Sequence, residues 1–215
     1  FLMHWPYLWP EPLERITWYL SFHLHHEHYP VRYFGEGLWD PPFPRSFPWV
    51  MWAITLPLVT VVAAIAGTLT QAWSCFQALW NGVWDRKEHA FLLLLTALFP
   101  AFLIAGPKVP IFGGTKHWMN GLPILLIIAA AWAWPAILKL AGNRRYLTGV
   151  VSAFVLLPGA VTTWRHHPHG IGSYSELAGG IRGAANLGME RQFWGGASRQ
   201  LLDKLNKEAK PNARL

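Results

Sequence analysis

Four stretches of the chain, residues 49–69, 90–106, 122–142 and 147–164, are almost unbroken runs of apolar residues. Each approaches the roughly 20 residues that a hydrocarbon core of about 30 Å requires. None holds an acidic residue, and the one basic residue among them, Lys139, sits near an end from which its stem can carry the ammonium to the headgroups. Pro57, Pro100, Pro123, Pro135 and Pro158 interrupt these runs. Such prolines break soluble helices, but membrane helices tolerate them when neighbouring groups satisfy the freed carbonyls. The pattern therefore predicts an all-α polytopic membrane protein with about four kinked transmembrane helices.

The flanks carry a different rhythm. Over residues 12–24 the apolar positions Leu13, Ile16, Leu20 and Leu24 recur at helical spacing, with Pro12 suited to a first turn and Glu14 to the positive end of the helix dipole. An amphipathic helix lying on the membrane is expected there, ending by Pro30. The stretch Tyr33-Phe34-Gly35-Glu36-Gly37 and then Pro41-Pro42-Phe43-Pro44 reads as an irregular approach to the first span. A second short amphipathic helix is expected over 198–210, where Leu201, Leu202 and Leu205 alternate with Arg199, Lys204 and Lys207. The organisation is thus a juxtamembrane segment at 1–48, a four-helix membrane region at 49–164, and a glycine-rich segment with a helix at 165–215. The chain opens at Phe1 without a basic, apolar and small-residue leader pattern, and reads as part of a longer protein.

Composition agrees with the membrane setting. Only 13% of residues are charged, too few to cover a soluble protein with four buried helices. The 14 tryptophans exceed what a soluble domain of this size carries, and Trp49, Trp52, Trp73, Trp80, Trp84, Trp118 and Trp164 lie at or near the ends of apolar runs, as interfacial belts would. A net charge of +7 raises a nucleic-acid partner, but the basic residues are scattered and form no patch. Arg144 and Arg145 between the last two runs, and Arg86 and Lys87 between the first two, favour a cytoplasmic position for those loops, which places both ends of the chain on the outer face. The lone Cys75 has no partner for a disulfide and reads as a packed thiol.

Chemistry-bearing residues gather outside the apolar runs. Gly113-Gly114-Thr115-Lys116-His117-Trp118 leads directly into Leu122-Pro123 at the head of a run. After the last run come Arg165, His166, His167, Pro168 and His169, then Ser173-Tyr174-Ser175-Glu176-Leu177-Ala178-Gly179-Gly180 and Phe193-Trp194-Gly195. The histidines at 23, 25, 26 and 28 around Glu27, and those at 166, 167 and 169, are dense enough to hold a transition metal, but their spacing matches no recognised site.

These segments, together with Asp40-Pro41-Pro42-Phe43-Pro44, resemble polytopic glycosyltransferases of the GT-C superfamily. The tail resembles the post-membrane segment of bacterial members related to protein O-mannosyltransferases and aminoarabinose transferases. The chain departs from their usual tail, which has Asn immediately before the Glu-Leu-Ala-Gly-Gly sequence, in carrying Ser175 there. The resemblance implies transfer of a sugar from a polyprenyl-phosphate carrier to an acceptor on the outer face of a bacterial inner membrane. It also implies a catalytic carboxylate in an outer loop upstream of Phe1, a carrier phosphate met by Lys116, His117 and Arg165, and an acceptor side lined by Tyr174, Glu176 and Trp194.

Each expectation has a plainer alternative. Lys116 and Arg165 snorkel to ordinary headgroups in many membrane proteins. Glu176, the one catalytic candidate among the acids left in the outer segments, has the surroundings of a carboxylate that starts a helix or pins a loop. His166, His167 and His169 are weak metal candidates, and the superfamily contains both enzymes that use a divalent ion and enzymes that do not. Two other functions remain open: a non-catalytic membrane scaffold, and a transporter subunit. The latter would place ionisable groups at mid-membrane depth, where the runs offer only Ser, Thr and Lys139.

Overall fold

A computed structural model of the chain describes residues 2–25, 28–83, 87–142, 144–168, 170–191, 193 and 198–210. The chain is mostly helical. It begins with α1 (Pro12–Leu24), whose first turn holds Pro12 and Glu14 and which has no buried residue. Leu13 and Leu24 are exposed, so its apolar face is left open, as for a helix lying in a membrane interface.

The segment expected to be irregular contains a small antiparallel hairpin, β1 (Val31–Tyr33) and β2 (Glu36–Leu38), in which Val31 faces Leu38 and Tyr33 faces Glu36. Val31 and Tyr33 are buried while Arg32 between them is exposed. That alternation of one covered and one open face is strand periodicity.

The first expected span, 49–69, is not one helix. A short α2 (Phe47–Thr55) ends at Leu56, which is extended, and α3 (Leu58–Trp80) starts after Pro57. The cause is local. Proline has no N–H to continue a helix, and it disfavours helical geometry in the residue before it. Consequently the apolar helix that can cross a membrane starts at Leu58, and residues 70–80, expected in a loop, form its last turns.

Three further apolar helices follow: α4 (Glu88–Ile104), α5 (Leu122–Leu140) and α6 (Arg145–His166). Pro100, Pro135 and Pro158 are carried inside them. By length and composition, the helices around α3, α5 and α6 are long enough to cross a membrane. With 17 residues, α4 rises only about 25 Å and falls short of the roughly 30 Å core.

The bundle is built on α3 and α5, with α4 against both and α6 resting chiefly on α5. Gly67 makes the central contact possible: a Cβ there would lie 2.7 Å from the Ile128 carbonyl oxygen and 3.1 Å from the Trp132 Cβ. Small residues at such crossings let backbones approach, which is how membrane helices gain packing contacts without a hydrophobic driving force between them. Among the described residues α6 buries none.

One end of the bundle carries a packed cap. Its wall is α2, the hairpin, the 105–121 connection and the glycine-rich segment, which holds the short α7 (Gly180–Asn186). Phe47, Ile111, Trp118 and Met189 are almost fully buried in it. Trp118, expected at the interface, is a core residue of the cap with no exposure, and Trp52 is buried as well; Trp73, Trp80 and Trp164 are exposed. Trp84 lies outside the described residues. Cys75 is buried. After the cap, α8 (Ser198–Glu208) forms where the second amphipathic helix is expected.

Candidate functional site

The cap end collects nearly all of the residues singled out by sequence. The glycine-rich segment folds back onto the α2–α3 corner, where two hydrogen bonds fasten it. The Ser175 N–H donates to the Ile54 carbonyl at 2.7 Å, and the Glu176 carboxylate accepts from the Leu58 N–H at 2.7 Å. Leu58 is the first residue of α3, so its N–H is one of the donors that a helix cannot satisfy internally. Pro57, the residue before it, has no polar side chain with which to cap them. Glu176 supplies the missing acceptor from 118 residues away, and its charge suits the positive end of the dipole.

This predicts that Glu176→Ala lowers stability by about 1 kcal/mol, with Glu176→Gln, which keeps the acceptor, recovering most of it. Thermal unfolding of the two variants in lipid checks the expectation. An unchanged unfolding temperature in Glu176→Ala would show that the contact carries no capping energy.

Tyr174 is buried, and its hydroxyl donates to the Glu190 carbonyl at 2.6 Å. Burial first, and then the Glu190 carboxylate charge, push its phenol up to about 12, so it remains a protonated donor. Trp194, the third residue expected on that side, lies outside the described residues.

In the connection between α4 and α5, the turn at Gly113-Gly114 packs against the Phe193 ring and turns the chain back toward α2. Trp118 then buries edge-on against Phe47, with ring centroids 5.9 Å apart. Lys116 and His117 are brought together over one ring. The Lys116 ammonium lies 4.1 Å from the centroid of Phe112, and the His117 imidazole meets the same ring edge-on at 4.9 Å. Partial burial lowers the pKa of Lys116. Its cation thus lies over a ring face at the rim of the cap. Arg165, in the last turn of α6, is exposed and makes no hydrogen bond or ion pair among the described residues.

His166 lies beside a partly polar cleft of about 310 Å³ with His167, Thr55, Thr163 and Ser173. Its Nδ1 is 2.8 Å from the Thr162 carbonyl. A carbonyl only accepts, so Nδ1 is the donor of this bond. His23 and His25 make the same contact to the carbonyls of Tyr19 and Ser21. No group of three or more His, Cys, Asp or Glu side chains able to hold a metal occurs among the described residues. His26, Glu27 and His169 lie outside them.

The α2–α3 corner creates a feature that the sequence reading missed. The chain turns at Leu56-Pro57 instead of running straight, and a groove of about 320 Å³, almost entirely apolar, lies beside the corner between Trp49, Leu56, Ile65, Leu69 and Phe102. It opens between helices, at the capped end of the bundle. The available signal was Pro57 itself, whose effect on Leu56 follows from sequence alone.

No family model matches the chain, and no curated protein or solved structure matches it.

Proposed function

We propose that the chain is part of an integral-membrane glycosyltransferase that takes its sugar from a polyprenyl-phosphate carrier, with α3 to α6 as four crossings and the cap on the outer face of a bacterial inner membrane. The observation that carries this reading is the apolar groove at the capped end, combined with the ring-held Lys116 cation in the same cap. A lipid-linked phosphate needs both surfaces, since an isoprenoid chain gains from an apolar slot and the phosphate at headgroup depth gains from a cation beside it.

Charge supports the orientation. Lys87, Lys139, Arg144 and Arg145 fall at the uncapped end, in short connections whose basic residues favour a cytoplasmic face, while Lys108, Lys116 and Arg165 lie at the other end. α4 completes a fourth crossing by local thinning or by flanking residues that snorkel.

The chain's groups divide the work. The groove holds the carrier near its phosphate, and Lys116 with His117 stabilises the negative charge that grows on the phosphate as the sugar leaves. Arg165, at the same end, adds to the positive potential that draws the anion in. Tyr174 and Glu176 brace the glycine-rich segment that covers the acceptor side. The acceptor's proton would pass to a carboxylate base upstream of Phe1, as the resemblance implies.

Binding of the carrier tests the reading. In phosphatidylcholine nanodiscs the chain should bind polyprenyl phosphate about tenfold more tightly than the polyprenol of the same length, with Lys116→Gln removing most of the difference. Equal affinity for phosphate and alcohol would overturn the proposal.

A further inference from the structure

A third pocket lies apart from both the groove and the His166 cleft. It has a volume of about 480 Å³ and is framed by Arg32, Gly35, Gly37, Trp39 and Glu190. That size falls in the range of small-molecule sites.

Its walls come from two parts of the chain held together rigidly. The Gly35 N–H donates to the Gly188 carbonyl at 2.9 Å, and the Glu190 N–H donates to the Arg32 carbonyl at 3.1 Å. The Arg32 N–H donates in turn to the Glu190 carboxylate at 3.0 Å. Residues 188–190 therefore lie along the hairpin like a third strand, and one carboxylate oxygen of Glu190 is locked in place. Its other oxygen has no hydrogen-bond partner among the described residues.

The Arg32 side chain is exposed and makes no hydrogen bond, ion pair or ring contact among the described residues, although it sits on the same pocket wall as Glu190. Trp39 is 66% exposed, and its indole lies against Gly37 so closely that a Cβ there would be 3.1 Å from the ring nitrogen. The arrangement presents a flat aromatic face, a fixed acceptor and an uncommitted planar donor to one space.

That combination matches a particular chemistry. A sugar ring has an apolar face of C–H groups and, at its edge, neighbouring hydroxyls that each donate and accept. An exposed indole offers area and a π-face to the first, and a carboxylate with a guanidinium offers charge-assisted partners to the second. The opposite charges cancel, which favours a neutral ligand over an anion. The rigid backbone frame means little ordering is needed on binding.

We propose that the pocket framed by Arg32, Trp39 and Glu190 binds a saccharide residue, stacked on the Trp39 indole with adjacent hydroxyls divided between the Glu190 carboxylate and the Arg32 guanidinium. Binding here requires neither the polyprenyl carrier nor transfer, so this inference and the transferase reading fail independently.

The test is saturation-transfer NMR on the full chain in phosphatidylcholine nanodiscs, since maltoside detergents would themselves present sugars to the pocket. The probes are the methyl glycosides of glucose, mannose, galactose and N-acetylglucosamine. At least one should receive saturation, strongest at the C–H protons of one ring face. Its affinity should fall about tenfold or more in Trp39→Ala and in Arg32→Ala. Trp39→Phe, which keeps a smaller face, should lose less. Both side chains are exposed, and a preserved unfolding temperature in each variant confirms that the fold is intact. Transfer to none of the four glycosides, or transfer unchanged in both alanine variants, would overturn the proposal and leave Trp39 as an ordinary interfacial anchor.

Discussion

Replacing Gly67 with valine should separate α3 from α5 and leave the bundle unable to fold normally. Any Cβ at this position meets the Ile128 carbonyl oxygen at 2.7 Å and the Trp132 Cβ at 3.1 Å, and neither can swing aside, because one is backbone and the other is the root of a side chain. The helices must therefore move apart along the interface on which α4 and α6 also depend. Overpacking of a close contact typically costs about 1–3 kcal/mol, and a branched side chain against backbone belongs at or above the upper end. A natural control lies on α6, where a Cβ at Gly149 meets nothing within 4 Å. Gly149→Val should change stability by no more than about 0.5 kcal/mol. Thermal unfolding of both variants in the same lipid checks the contrast, and similar losses in the two would mean that α3 and α5 do not cross at Gly67.

Gly188→Val should open the cap while leaving the bundle folded. Gly188 has φ of +73°, and a Cβ would run into the backbone of Gly35. Two penalties combine, a left-handed conformation that costs a branched residue about 1–2 kcal/mol and a collision that only separation of the two segments relieves. That separation breaks the Gly35–Gly188 hydrogen bond and the paired bonds between Arg32 and Glu190. Hydrogen exchange reads the effect directly. A loss of ~3 kcal/mol corresponds to roughly 100-fold faster exchange at the Gly35, Arg32 and Glu190 amides, with the amides of α3 and α5 unchanged. Gly180→Ala isolates the conformational part, since Gly180 has φ of +67° but an added Cβ would touch nothing within 4 Å. Exchange as fast in Gly180→Ala as in Gly188→Val would show that backbone strain, and not the close approach, is what holds the cap.

The helices were legible because period and length speak for themselves. A 19-residue run such as α5, with Pro123 in its first turn, has few other ways to satisfy its backbone in lipid. The α2–α3 corner was legible in principle and missed, because apolarity continues through Leu56-Pro57-Leu58 and hides the proline's local effect. The hairpin was hidden for a different reason. Three-residue strands show too little alternation to register, and what fixes them is Gly188 and Glu190, more than 150 residues later.

Long-range partnership also explains the uneven fate of the site residues. That Lys116 and His117 share the face of Phe112 could have been guessed from their closeness in sequence. That Glu176 caps a helix starting at Leu58 could not, because the sequence shows a carboxylate but not the open N–H it meets. Trp118 shows the limit of composition. Its place beside an apolar run suited an interfacial belt equally well, and only the packing of α2 over it makes it core.

The proposed function requires the groove between α2, α3 and α4 to hold the chain of a lipid-linked phosphate. Photocrosslinking measures this most directly, using a polyprenyl phosphate with a diazirine in its first isoprene units and the chain in phosphatidylcholine nanodiscs. Labelling should concentrate on peptides containing Trp49, Ile65, Leu69 and Phe102, and unlabelled polyprenyl phosphate should compete it away while excess phosphatidylcholine does not. Labelling spread evenly over the exposed faces of α6 and α1, or displaced as readily by phosphatidylcholine, would contradict it.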